Sequence, residues 1–128
     1  MQNFRKLKVW EKSHQLVLAV YMETQNFPRE EKFGITSQLR RAASSVPANI
    51  AEGCGRAGGD DTTRFFQIAL GSACETDYFL LLSKDLNYID KERFEQMTNQ
   101  SEEVQRMLRA LIVKTKPTTA LPLLTTHH

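Results

Sequence analysis

Apolar residues recur along this chain at intervals of three and four, the period of helices that each bury one face. In the first stretch, Val9, Ser13, Leu16, Val17, Val20 and Tyr21 share a side, with Trp10 beside them, which predicts a helix from Val9 to Gln25. Asn26-Phe27-Pro28 closes it, because the residue before a proline avoids helical backbone. A short link, Arg29 to Phe33, leads to Gly34, and Thr36 is the expected N-cap of the second helix. Leu39, Ala42, Ala43, Val46 and Ile50 form its apolar face. Pro47 removes one backbone hydrogen bond inside this pattern and predicts a kink between Ala43 and Val46. The stripe resumes at Ile50 and Ala51, so the pattern describes one kinked helix, ended at Gly53.

Gly53 to Gly59 reads as a flexible connection, after which Asp60 or Asp61 caps a third helix running to about Leu86. Phe65, Ala69, Ser72, Thr76, Phe79, Ser83 and Leu86 alternate in steps of four and three, a heptad seam rich in small residues. Phe66, Leu70, Ala73 and Leu80 form a second stripe, and a helix apolar on two faces packs against more than one neighbour. Asn87-Tyr88-Ile89 is the turn and Asp90 the cap of a fourth helix. It carries Phe94, Met97, Ser101, Val104, Leu108 and Leu111 and ends near Lys116. Pro117 and Pro122 bracket a Thr/Leu tail. The expected fold is all-α: an up-down-up-down antiparallel four-helix bundle with a proline-kinked second helix over residues 1–116, then a flexible tail, 117–128.

At 128 residues the chain makes one domain, large enough to fold without disulfides or a metal. No segment approaches the roughly 20 apolar residues of a membrane span. The basic N-terminus lacks the apolar core of a secretory signal, so a cytoplasmic location is expected. Cys54 and Cys74 are expected to be reduced, with Cys74 packed as a small apolar residue. Phe4, Trp10, Phe66, Tyr78 and Tyr88 exceed what a four-seam core needs. They point to homo-oligomerisation through helix faces, or else to ordinary scattered surface aromatics.

Although 17 Lys and Arg nearly balance 15 Asp and Glu, the topology sorts them by end. Arg5, Lys6, Lys8 and Lys12 start the first helix; Arg106, Arg109, Lys114 and Lys116 finish the fourth, with no acid after Glu103. Arg56 and Arg64 join the same end, diluted by Glu52, Asp60 and Asp61, while Arg29-Glu30-Glu31-Lys32 at the opposite end alternates in sign. Aligned copies would multiply a basic end into a ring able to bind RNA or DNA phosphates. Alternatively, the cations near the helix C-terminus simply suit its dipole. Catalytic chemistry is not evident. Glu11-Lys12-Ser13-His14 is half of a di-iron pattern, but His14 is the only histidine before the tail. The Gly53–Gly59 loop is not followed by the Lys-Ser/Thr pair of a phosphate loop. No catalytic residue, metal or cofactor is expected.

The run Gln38-Leu39-Arg40-Arg41-Ala42-Ala43-Ser44-Ser45-Val46-Pro47-Ala48-Asn49-Ile50-Ala51-Glu52-Gly53 is specific. With Val9-Trp10-Glu11-Lys12, Asn26-Phe27-Pro28 and Ala69-Leu70-Gly71-Ser72-Ala73-Cys74-Glu75, it resembles the four-helix-bundle proteins encoded in intervening sequences of bacterial 23S ribosomal RNA genes. Order and spacing match from about Phe4 to Ile112. The resemblance implies a cytoplasmic bacterial protein, a ring-shaped homopentamer, and kinship with the accessory variability protein of diversity-generating retroelements. That relative is a basic pentamer binding nucleic acid and a reverse transcriptase; this chain departs from it in its net charge of +2.

The signature residues Arg40, Arg41, Ser45, Pro47, Asn49, Glu52, Gly53 and Glu75 also have a physical reading. Ala42, Ala43, Ala48 and Ala51 keep the second helix thin. Ser45 and Asn49 are placed to satisfy backbone groups near Pro47. Arg40 and Arg41 are placed to pair with Glu52 or Glu75 between helices or subunits, or else to contact RNA directly. The expected function is a non-catalytic homo-oligomer associated with RNA or ribonucleoprotein through Arg5, Lys6, Lys8, Arg106, Arg109, Lys114 and Lys116. The alternative is a protein-interaction scaffold that docks a reverse transcriptase or another protein without touching nucleic acid.

Overall fold

Four α-helices follow one another as the apolar stripes require: α1 (Lys8–Thr24), α2 (Ile35–Cys54), α3 (Gly59–Asp85) and α4 (Lys91–Thr115). This is a computed structural model that describes residues 3–115, and no strand occurs among them. Single-turn 3-10 segments, Phe4–Lys6 and Arg29–Glu31, precede α1 and α2. The expected tail, with Pro117 and Pro122, lies outside the described residues.

Within the bundle, α1 packs on α2 and α4, and α3 packs on the same two helices. The diagonal pairs, α1 with α3 and α2 with α4, lie farther apart, with no Cα atoms within 8 Å among the described residues. Polar links give the direction of each neighbouring pair. Thr24 near the end of α1 meets Arg40 early in α2, and Gly53 at the end of α2 accepts from Thr62 at the start of α3. Thr63 in turn donates to the Thr115 carbonyl at the end of α4. Glu23 late in α1 meets Arg93 early in α4, and Lys12 meets Glu103. All four packed pairs are therefore antiparallel.

The interior is divided along its length. One cluster gathers Leu16, Val20, Leu39, Leu80, Ile89 and Met97, towards the end where α1 finishes. The other gathers Val9, Val46, Ile50, Phe66, Ala69, Val104 and Leu108. Between them, fully buried Ser13, Thr76 and Ser101 form a thin hydroxyl layer. Each hydroxyl donates to a backbone carbonyl, of Trp10, Ser72 and Ala73 respectively, so none of these three donors is left over. These small residues bring the helices close at mid-height.

Several local expectations are corrected. Tyr21 is exposed and Thr24 takes the last buried place on α1, its hydroxyl bonded to the Val20 carbonyl at 2.8 Å. Gly34, not Thr36, is the N-cap of α2; Thr36 is buried within the first turn. Asp60 and Asp61 lie in the first turn of α3 and do not cap it, the N-cap being Gly58 at φ 106°. On α3 the buried line is Phe66, Ala69, Ala73, Thr76, Leu80 and Ser83, drawn from both expected stripes; Phe65, Ser72 and Phe79 are half-buried and Leu86 is exposed. Cys74, expected to pack as a small apolar residue, is exposed, while Cys54 is buried; both are free thiols. Asp90 does cap α4, its carboxylate accepting the Arg93 amide at 2.7 Å.

α2 runs unbroken through Pro47. Asn49 donates to the Ser45 carbonyl at 2.8 Å and to its hydroxyl at 2.9 Å, and that hydroxyl meets Ser72 of α3 at 2.9 Å. The helix also passes Gly53 and ends at Cys54, so Gly53 is not its terminator. A Cβ at Gly53 would lie 2.7 Å from the Phe66 ring; the glycine is there for close approach of α2 to α3.

Candidate functional site

At the end of the bundle where α1 begins, Asn3 accepts the Arg5 amide and so caps the first turn. Phe4 lies edge-on to Trp10 at 5.0 Å, and Trp10 stacks on His14 at 5.1 Å. These rings pin the N-terminal segment against α1. Leu7 and Val9 share a recess of about 250 Å³ with Met107, Leu111 and Lys114, so the segment lies beside the last turns of α4.

That packing brings Arg5, Lys6, Lys8 and Lys114 to one end, with Arg106 and Arg109 on the adjoining turns of α4; all six are exposed. Among the described residues none of the six forms a salt bridge. The other cations near this end are matched. Arg56 lies 2.7 Å from Glu52, Arg64 lies 3.0 Å from Asp61, and Lys12 lies 3.3 Å from Glu103. Glu52 and Asp61 therefore match Arg56 and Arg64, and Glu103 matches Lys12; among the described residues Asp60 forms no salt bridge and the six are left unpaired. Lys116 lies outside the described residues.

The signature residues separate into three roles. Arg41 reaches across to Glu75 at 2.6 Å, joining α2 to α3. Among the described residues Arg40 meets no carboxylate; it bonds the Thr24 hydroxyl and the Tyr21 carbonyl of α1 and stacks on the Tyr21 ring. Glu52 pairs with Arg56 within one connection and with neither Arg40 nor Arg41. Ser45, Pro47, Asn49 and Gly53 belong to the contact between α2 and α3 described above.

Of the five surplus aromatics, Phe66 is buried, Phe4 and Trp10 hold the N-terminal segment, and Tyr88 packs on Phe27 while donating to Glu31 at 2.8 Å. That bond to a carboxylate raises the Tyr88 pKa, helped by partial burial and by the charges of Glu31 and Glu30. Burial alone raises that of Cys54. Only Tyr78 of the five is exposed, at 57%. It lies on the outer face of α3 with Ile68 and Leu81, around Gly71, where a Cβ would meet nothing. The outer face of α1 exposes Leu18 and Met22, the latter at 69%. The sequence reading missed both faces as units. A mid-helix glycine with no neighbour to accommodate was the available signal.

Among the described residues no helix is long and apolar enough to cross a membrane. Residues 5–110 match the family model described as 23S rRNA-intervening sequence protein. The fold is similar to a crystal structure from Bacteroides thetaiotaomicron, a protein of unknown function from the S23 ribosomal protein family. The TM-score is 0.74 and the identity 30%, over 81% of this chain and 97% of that one. No functionally curated protein matches the sequence.

Proposed function

The chain belongs to the 23S rRNA-intervening sequence protein family, and from that premise we propose that it acts in the cytoplasm as a non-catalytic homo-oligomer that holds RNA by its phosphates. The observation that carries this reading is the sorting of charge: six exposed cations without salt bridges at one end, beside three whose charge is already matched. Unpaired, solvated cations are free to replace the counterions of a phosphate chain. The dipole of α4 accounts for cations in its last turn, but not for Arg5, Lys6 and Lys8 at the start of α1.

Assembly follows from where the apolar faces lie. α1 and α3 are diagonal, so Leu18 and Met22 look away from Ile68, Tyr78 and Leu81. Two unlike faces on opposite sides can pair head to tail between copies, and such contacts form a ring when the rotation from copy to copy closes and a filament when it does not. A groove of about 610 Å³ between α1 and α4, lined by Leu18, Ala19 and Met22 and by polar side chains that include the Glu23–Arg93 pair, is the proposed seat for Tyr78 of the next copy. In a ring, each subunit adds its basic end to a common rim. A pentamer, the state implied by the family resemblance, is one such ring, and a reverse transcriptase or other protein is a candidate further partner.

The test is charge reversal. Arg106→Glu with Arg109→Glu should weaken RNA binding at low salt while leaving the oligomer size in light scattering unchanged. Undiminished RNA binding by that double variant would overturn the assignment of the site.

A further inference from the structure

At the opposite end of the bundle, the end of α1, the Phe27–Lys32 link and the first turns of α2 enclose a recess of about 470 Å³. Its charged lining is Arg29, Lys32 and Arg40, with the buried Thr24 and Thr36 among its polar members; no carboxylate lines it. The sequence here alternates in sign, Arg29-Glu30-Glu31-Lys32, but the fold separates the signs. Glu31 is turned away, one oxygen accepting the Ile35 amide at 3.2 Å and the other the Tyr88 hydroxyl at 2.8 Å. Glu23 is held by Arg93 at 3.0 Å. Among the described residues Arg29, Lys32 and Arg40 form no salt bridge.

Arg40 is the centre of the recess. Its guanidinium carbon lies 4.4 Å from the centroid of the Tyr21 ring; Nε donates to the Thr24 hydroxyl at 2.8 Å and Nη2 to the Tyr21 carbonyl at 3.3 Å. Thr24 is itself fixed by donating to the Val20 carbonyl. A guanidinium carries five N–H donors, and two are used here, so three remain on a side chain whose position is already set. A planar, pre-positioned fork binds a tetrahedral oxyanion at little cost in lost side-chain freedom. The recess also opens at the N-terminal turns of α2, where the partial positive charge of a 20-residue helix adds to the three cations.

We propose that this recess is a binding site for a phosphate group. Arg40 would be its fixed donor, and Arg29 and Lys32 the mobile cations that close over the anion. The volume admits a phosphate together with the group that bears it. The site is separate from the basic end and does not depend on the RNA reading above. The phosphate could come from a small phosphorylated molecule or from the 5′ end of an RNA strand.

The experiment is calorimetric titration of the full chain with inorganic phosphate, at ionic strength held constant with chloride. Wild type should show saturable binding of one phosphate per chain, and the charge-reversed variant of Arg106 and Arg109 should match it. Arg29→Gln with Lys32→Gln changes only exposed side chains and should weaken binding at least about tenfold; Arg40→Gln should abolish it. Absence of saturable binding by wild type, or equal affinity in the Arg29→Gln/Lys32→Gln variant, would overturn the proposal. Competition by a 5′-phosphorylated oligoribonucleotide, but not its 5′-hydroxyl twin, assigns the source to an RNA end. If neither strand competes, the source is a small molecule.

Discussion

Gly53 and Tyr88 show how single residues govern this bundle. Since a Cβ at Gly53 would sit 2.7 Å and 2.9 Å from two carbons of the Phe66 ring, Gly53→Ala must push α2 and α3 apart. Overpacking of this kind costs about 1–3 kcal/mol, against less than about 1 kcal/mol regained in helix propensity, so denaturant unfolding should show a net loss of stability. Tyr88 gives a pH dependence. Its raised pKa means the folded chain holds the phenol proton more tightly than the unfolded one, whose tyrosine ionises near pH 10. The stabilisation is complete below about pH 10 and is lost as pH rises through the folded value. Thermal melts from about pH 8 to 11 should show this alkaline decline in wild type and lose that component in Tyr88→Phe. Neither role was legible in the sequence, where Gly53 resembled a helix stop and Tyr88 a surplus ring. Both depend on residues distant along the chain, Phe66 and Glu31.

At the scale of elements, periodicity located the four helices, and the one-sided stripes of α1, α2 and α4 named most of their buried residues. α3 was harder. It carries apolar residues almost all round, and no period distinguishes a face buried within the chain from one left outward, so Phe65, Phe79 and Leu86 were assigned to a seam of which α3 fully buries only Ala69, Thr76 and Ser83. The unbroken course of α2 was legible because its stripe continued past Pro47. Arg41–Glu75 joins α2 and α3, yet both side chains are largely solvent-exposed, at 53% and 40%. Water screens such a pair, so Arg41→Ala should lower stability by less than about 1 kcal/mol. A larger loss in chemical denaturation would mean that the pair is buried in an assembled form.

For the whole molecule, the proposed function rests on the ends of the bundle more than on its core. The shared end of Arg5, Lys6, Lys8, Arg106, Arg109 and Lys114 followed from topology. So did the dilution of Arg56 and Arg64, by Glu52 and Asp61; the pairing of Lys12 with Glu103 did not, because it depends on side-chain reach between helices. The recess around Arg40 escaped notice because its cations and acids alternate along the chain and are parted only by folding. If the outer faces of α1 and α3 join copies, Tyr78→Asp should give a smaller particle in light scattering with unchanged helical circular dichroism; an unchanged particle size would remove Tyr78 from the interface. The most direct measurement is RNA affinity as a function of salt. Each phosphate contact should contribute about −0.7 to the slope of log affinity against log salt, so wild type should show a linear fall of several units that becomes shallower in the Arg106→Glu/Arg109→Glu variant. No binding at low salt, or an affinity indifferent to salt, would contradict an RNA-binding basic end.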